Sequence, residues 1–453
     1  MKFVAESCGG EIRRGAAEIF VKNVCTDSRQ AKPGDLFFAI RGEKFDGHEF
    51  LNEVAAKNVT AVVVEKSKVV ADVATLVVGD ARIALGKLAA SYRKQFDLPI
   101  ICVGGSNGKT TVKELLASVL RQKFSTLASE ASFNNDIGVP LTLLRLEKSH
   151  QAAVLEAGTN HPGELAPLVK MIQPKFGVLT NIGREHLEFF GDVAGVAQEE
   201  GWLVELLPAD GKLFVNGDNE WTEKIIARTK AEIVCVGLGE KNDWHADKIR
   251  LDKNGVTFRV QTAEEEFCGE YRINLLGRHQ VTNALFAIAV GEELGLSRDE
   301  VQRGLFECKP PKMRLQFWEA NGVRVLDDAY NANADSTIAA LETLCDLPLQ
   351  GRRVAVLGDM EELGAHSESA HAEVGKRAAE LKIGQLFAVG KMAVVTAKAA
   401  RDGGLNRVIE FENVEMAVTA IRKFLKTGDV VLLKASRASR LERITETLKS
   451  EKS

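Results

Sequence analysis

The chain has 453 residues, 45% of them hydrophobic and 27% charged, with a net charge of −4. At roughly 100 to 200 residues per domain that length implies two to four domains, and three are expected. The weakly acidic balance offers no basic field for nucleic acid, and no run approaches the roughly 18 apolar residues that cross a bilayer, so neither nucleic-acid binding nor a membrane span is expected.

The N-terminal MKFVAESCGGEI lacks the apolar centre of a secretory signal, which points to a cytoplasmic protein. Seven scattered cysteines, with Cys102 and Cys235 inside apolar runs, read as buried free thiols. The eight histidines show no HExxH or CxxC-type grouping, so any metal here would be held mostly by oxygen.

In chain order, the runs GDLFFAI, AVVVE and TLVVGD, with a helical pattern from Glu49 to Lys57, predict a small α/β domain over residues 1–82. From 83 to 312, IICVGG, AAVLEAG, FGVLTNIG, GKLFVNG and EIVCVGLG alternate with helical patterns and predict a mostly parallel sheet covered on both faces. The stretch KIRLDKNGVTFRVQTAEEEFCGEYRINLLG alternates with period two around Asn254-Gly255, and predicts an antiparallel addition to that sheet. After Pro310-Pro311, the runs VRVLDD, RRVAVLGD, QLFAVG and VVLLKASR predict a third α/β unit over 313–453. The expected fold class is thus α/β in three domains: a small N-terminal domain, a central P-loop-type domain and a C-terminal Rossmann-like domain. Ligands in such sheets lie at the carboxyl ends of the strands.

ICVGGSNGKTTVKELLASVL runs from an apolar strand through a glycine-rich turn into a helix. The amides of Gly105, Ser106, Asn107, Gly108 and Thr111 are suited to cradle phosphate, Lys109 to neutralise it and Thr110 to ligate Mg²⁺. The strict spacing would put glycine at Val103, so the loop is a variant. Glu156 and His186 each follow the next apolar runs and would reach the same sheet edge. Either alone reads as a capping carboxylate or a structural histidine; together at one edge they read as a site.

The motifs GSNGKTT, LEAGTNHPGE, TNIGREHLEFFG, GRHQVTNAL, DDAYNANADS and LGDMEELGAHS, in this order, resemble the Mur ligase superfamily. TDSRQAKPGDLFFAIRGEKFDGHEF and LLKASRASRLE extend the resemblance almost end to end, on the branch that adds a dipeptide. It implies an ATP- and Mg²⁺-dependent ligase of peptidoglycan synthesis that joins D-alanyl-D-alanine to UDP-MurNAc-tripeptide through an acyl phosphate. The third residue of the tripeptide, meso-diaminopimelate or L-lysine, is left open. A monomer is expected, with these small molecules as its only partners.

By that resemblance Lys109 would hold the β- and γ-phosphates, with Thr110 and Glu156 holding one Mg²⁺ and His186 the second. Asn283 would lie on the adenine side, Arg314 would reach the phosphates from a linker, and Asp328, Tyr330, Asn331 and Asn333 would belong to a loop closing over nucleotide and dipeptide. The family usually has proline where Ala334 stands. Ser28, Arg29, Asp46, Gly47, His48, Asn134 and Asn135 match positions that bind the UDP substrate. Many Mur ligases carry a carbamylated lysine after the histidine motif, and Glu200 takes its place here. It would supply the carbamate's negative charge on a shorter arm; the alternative is a solvated acidic helix face with Glu199. Two other readings stay open: a ligase of the superfamily adding a single amino acid, and a non-catalytic nucleotide-binding relative.

Overall fold

The computed structural model describes residues 1–65 and 73–449. Among them the strands form three sheets, one for each predicted α/β unit. The first runs in the order Glu11–Arg14, Ala74–Val78, Ala61–Glu65, Leu36–Phe38 and Val24–Cys25, parallel except at its first pair.

The central sheet has a parallel core in the order Thr126–Ala128, Ala152–Glu156, Ile100–Gly104, Phe176–Leu179, Lys212–Asn216 and Glu232–Gly237. Ile100–Gly104 and Ala152–Glu156 are buried along their whole length, as strands covered on both faces must be. Helices Lys109–Leu120 and His279–Glu293 supply much of that cover. Trp244–Asp252, Gly255–Thr262 and Gly269–Ile273 extend the sheet, the last two antiparallel. The hairpin turn lies at Lys253-Asn254, one residue before the dipeptide expected, because Asp252 already pairs with Gly255.

The third sheet orders Gln316–Ala320, Val323–Asp328, Val430–Lys434, Arg353–Gly358, Gln385–Val389 and Val408–Phe411, antiparallel only at the first pair. Short edge strands such as Glu11–Arg14 and Gln316–Ala320 carried too little apolar pattern to be predicted.

Position 82 falls inside helix Ala81–Arg93. Ala81, Ala84, Leu85 and Leu88 of that helix belong to the first core, while Ala89 packs into the central one. The seam between the two is therefore a shared helix. No helix among the described residues is long and apolar enough to cross a membrane.

In the central sheet, strands lie on both sides of Ile100–Gly104, with Ala152–Glu156 on one and Phe176–Leu179 on the other. The carboxyl ends of these three strands and those of Val323–Asp328, Arg353–Gly358 and Val430–Lys434 carry the site.

Candidate active site

The phosphate loop leaves its strand at Gly104 and enters helix Lys109–Leu120 through Gly108. Gly105 has φ +108°, and a Cβ there would sit 2.4 Å from Thr180 Oγ1, so only glycine fits. The turn is stitched to the neighbouring strand's loop: Ser106 N–H donates to the Asn181 carbonyl at 2.9 Å, Asn107 N–H to Asn181 Oδ1 at 3.1 Å, and Gly183 N–H to Ser106 Oγ at 2.8 Å. Thr110 and Thr111 are buried. Lys109 folds back over the turn, donating to the Gly105 carbonyl, to Ser106 O at 3.3 Å and to Glu185 Oε2 at 3.2 Å. Burial works against its charge, but the fields of Glu185, Glu200 and Glu156 outweigh that and raise its pKa.

Three buried carboxylates around the loop have unused oxygens: Glu156 and Glu185, which line a cavity, and Glu200, whose Oε1 is unpartnered behind the loop. Glu156 Oε1 accepts from Asn134 Nδ2 at 2.8 Å, while Oε2 is buried without a partner. Glu185, 6% exposed, spends Oε2 on Lys109 and leaves Oε1 buried and unpartnered. His186, in the left-handed region at φ 47°, donates Nδ1–H to Glu362 Oε2 at 2.5 Å. In the neutral imidazole this bond leaves the lone pair on Nε2, which lies 4.0 Å from Glu185 Oε2. Lys109, Thr110, Asn134, Glu156, Glu185 and His186 line one polar cavity of about 250 Å³. Among the described residues no three histidine, cysteine or acidic side chains converge on one point. Unpartnered carboxylate oxygens beside a phosphate loop nevertheless fit a small hard cation that keeps water and phosphate among its ligands.

Glu200 does not have the surroundings expected of it. It is fully buried, as is Glu199 to within 4%, so neither belongs to a solvated face. Glu199 accepts from Gly163 N–H and Leu165 N–H, at the start of helix Leu165–Ile172. Glu200 Oε2 accepts from Gly105 N–H at 2.6 Å, beneath the loop, and Glu200 lines neither cavity. Burial pushes its carboxyl up to about 8. A carboxyl whose ionisation burial opposes, shut behind the loop and lining neither cavity, is a poor substitute for a carbamate facing a cation; its geometry is that of a brace.

A second cavity of about 350 Å³ shares Asn107, Gly108, Thr110, Arg314 and Ser336 with the first and opens between the central and C-terminal domains. Asn283 lines it, with Nδ2 donating to Gln280 Oε1 at 2.8 Å. The Arg314 guanidinium stacks over Tyr330, 4.2 Å from the ring centroid. Asp328 accepts from Leu315 N–H at 3.0 Å and pairs with Lys434 at 2.6 Å; Lys434 also donates to the Asn331 carbonyl at 2.9 Å. Asn333 caps helix Ala334–Asp346 and reaches across the domain seam to Asn107 Oδ1 at 2.9 Å. Ala334 is the first residue of that helix, where proline is well tolerated. The reciprocal capping box of Asn333 and Ser336 fixes the entry without one.

The first-domain residues stand apart from both cavities. His48 is buried, its Nδ1 2.6 Å from Asp46 and its Nε2 accepting from Glu65 N–H at 2.9 Å. Asp46 is held down at about 2, chiefly by the His48 backbone N–H. A Cβ on Gly47 would meet the Ile40 backbone at 2.8 Å. Arg29 is exposed and pairs with Asp27, while the buried Ser28 lends its carbonyl to Lys57. Asn135 caps its own turn through Ile137 and Gly138, and only its neighbour Asn134 faces a cavity.

Sequence reasoning passed over Glu185, Lys434, Glu362 and Arg184. Arg184 forks onto Asp335 and Glu373 of the C-terminal domain. The adjacency of Glu185 to His186 and the polar end of VVLLKASR were the available signals for Glu185 and Lys434.

Three family descriptions match the chain: "Mur ligase family, catalytic domain" over residues 20–93, "Mur ligase middle domain" over 103–291, and "Mur ligase, glutamate ligase domain" over 313–437. The UDP-N-acetylmuramoyl-tripeptide–D-alanyl-D-alanine ligase of Escherichia coli is 36% identical, covering 97% of this chain and 96% of its own. That of Bacillus subtilis is 32% identical over 99% of this chain and 98% of its own. Among solved structures, MurF from Acinetobacter baumannii superposes with a TM-score of 0.90 at 33% identity, covering 99% of this chain and 98% of that one. The MurF ligase from Thermotoga maritima in complex with ADP gives 0.84 at 27% identity, covering 96% and 98%. The chain belongs to the Mur ligase family, on the branch of the UDP-N-acetylmuramoyl-tripeptide–D-alanyl-D-alanine ligases.

Proposed function

We propose that the protein is an ATP-dependent ligase that joins D-alanyl-D-alanine to the free carboxyl of UDP-MurNAc-tripeptide, giving UDP-MurNAc-pentapeptide, ADP and phosphate in cytoplasmic peptidoglycan precursor synthesis. What carries the reading is that a phosphate loop, a carboxylate-lined cavity and a closing third domain meet at one place, in a chain that matches such ligases over nearly its whole length. Residues 1–82 would hold the UDP end, 83–312 ATP, and 313–453 the dipeptide. The protein would act as a monomer, a reading supported by the lining of both cavities from one chain.

A carboxylate repels an amine and must first be activated. Its oxygen attacks the γ-phosphorus, ADP departs, and the acyl phosphate so formed is attacked at its carbonyl carbon by the dipeptide's amine. Phosphate leaves with the electron pair of the C–O bond. Lys109 gives up the Gly105 and Ser106 carbonyls to hold the β- and γ-phosphates, whose remaining oxygens meet the helix N-terminus. Thr110 and Glu156 would hold one Mg²⁺ and His186 a second; when bound, such cations neutralise charge on the transferring phosphoryl group. Arg314, common to both cavities, stands between nucleotide and acceptor. Asn283 contacts the adenine side, and Asp328, Tyr330, Asn331 and Asn333 bring the third domain over the nucleotide and dipeptide. Ser28, Arg29, Asp46, Gly47, His48, Asn134 and Asn135 serve the UDP substrate, and Glu200 braces the loop.

The test is phosphate release from ATP with Mg²⁺ and UDP-MurNAc-tripeptide, with and without D-alanyl-D-alanine, the products identified by mass. Dipeptide-dependent release with a pentapeptide product is expected. Equal release with single amino acids, or none with any acceptor, would reject it.

A further inference from the structure

Glu185 is 6% exposed and lines a polar cavity, and its Oε1 is buried without a partner. Leaving a buried carboxylate oxygen unpaired is costly, and among the described residues the one lysine or arginine paired with Glu185 is Lys109, which engages the other oxygen. A simple counter-ion for Lys109 would have no need of a second, dry acceptor on a side chain that lines the cavity beside the phosphate loop. Beside it His186 presents Nε2, its ring fixed by Glu362. One imidazole nitrogen and one carboxylate, whose Lys109-bound Oε2 lies 4.0 Å from that nitrogen, are the few protein ligands that a small divalent cation takes when phosphate and water supply the rest.

We propose that Glu185 is a cation-ligating residue: with His186 Nε2 it holds a divalent cation against the terminal phosphate, separate from the cation held by Thr110 and Glu156. This rests on the ligase reading above. It assigns the carboxylate of that position to the residue beside the histidine, and leaves Glu200 as the support of Gly105. The site is then complete without CO₂, since each of its groups belongs to the chain.

Mn²⁺ is the probe. Its binding to the full-length protein is followed by electron paramagnetic resonance, with a non-hydrolysable ATP analogue and UDP-MurNAc-tripeptide present. The parent is expected to take up two Mn²⁺. In Glu185→Gln one of the two should weaken by at least about tenfold, since loss of mere supporting partners already costs 10- to 100-fold. Glu185→Asp should recover part of that, and Glu200→Gln should keep both. The same variants are titrated with ADP in EDTA to isolate the Lys109 pairing. A Glu185→Gln protein that binds two Mn²⁺ as the parent does overturns the proposal. So does one whose whole loss appears in metal-free ADP binding. A parent that binds two Mn²⁺ but makes no pentapeptide rejects the ligase reading and leaves the Glu185 result standing.

Discussion

His186 and Glu362 join two domains through one hydrogen bond: the imidazole Nδ1–H of the central domain meets Oε2 of the C-terminal domain at 2.5 Å. The neighbouring backbone supports it, with Glu188 N–H donating to the Glu362 carbonyl at 3.0 Å. The tautomer of His186 is thereby set by a residue that arrives only when the third domain is docked.

Replacing Glu362 by Gln should therefore weaken metal use more than folding. The apparent Mg²⁺ requirement should rise by about 10- to 100-fold, or kcat fall by that factor at fixed Mg²⁺. Glu362 is 41% exposed on its side chain, so stability should move by no more than about 0.5 kcal/mol. Initial rates over a Mg²⁺ series, with a thermal melt beside them, check both halves. A large drop in melting temperature with unchanged Mg²⁺ dependence would mean that the pair only holds the domains together.

Docking itself has a stronger clasp. Arg184 donates from Nε to Asp335 Oδ1 at 2.9 Å and grips Glu373 through Nη1, while its own backbone N–H meets Asp335 Oδ2 at 3.0 Å. Shared bonds of this kind raise the guanidinium's pKa, first through Glu373. Arg184→Gln removes the fork, and at partly exposed positions the loss should be about 1–2 kcal/mol of docking free energy. The expected result is a larger radius of gyration by solution scattering with nucleotide bound, and a kcat/KM for the dipeptide lower by about 5- to 30-fold. Identical scattering and kinetics would show that closure does not depend on this clasp.

How much of this was legible follows from how local each signal was. Strand, turn and helix around Gly105 to Thr111 are contiguous, and so were read directly, as were the long parallel strands buried on both faces. Glu362 and Arg184 act through partners 176 and 151 residues away, a relation that no spacing encodes. Glu200 misled for the same reason: its register beside Gly201 says where it lies on helix Val193–Glu205, but only the packing against Gly105 says that it points under the loop rather than into the cavity. Lys434 ended a predicted strand, yet its pairing with Asp328 needed the order of Val323–Asp328 beside Val430–Lys434 in the sheet.

That ion pair makes a further prediction. Lys434 is 3% exposed on its side chain and Asp328 is 9% exposed, and burial lowers the pKa of the lysine even with the carboxylate beside it. Lys434→Met would leave Asp328 buried and uncompensated, a loss of about 3–5 kcal/mol. The double variant Lys434→Met with Asp328→Leu should recover much of that stability while losing nucleotide affinity. Urea unfolding and ADP titration of the three proteins separate the two effects. Failure of the double variant to regain stability would mean that the pair's surroundings, rather than its charge balance, set the cost.

The brace beneath the loop should leave its mark in the pH dependence of stability. Glu200 has its carboxyl raised to about 8, first by burial, against about 4.3 in an unfolded chain. Between those values the folded protein keeps a proton that the unfolded chain has lost, so this group's contribution falls as pH rises from about 4.5 to about 8. Glu200→Gln keeps an oxygen to accept from Gly105 N–H and removes the ionisation. Relative to the parent the variant should therefore gain stability steadily across that window, with the gap smallest near pH 5 and largest above pH 8, as read from urea midpoints at fixed ionic strength. A gap that stays constant with pH would mean that Glu200 ionises in the folded protein as freely as in the unfolded one. It would then be a buried negative charge under the phosphate loop, and its bond to Gly105 would have to be reckoned as charge-assisted.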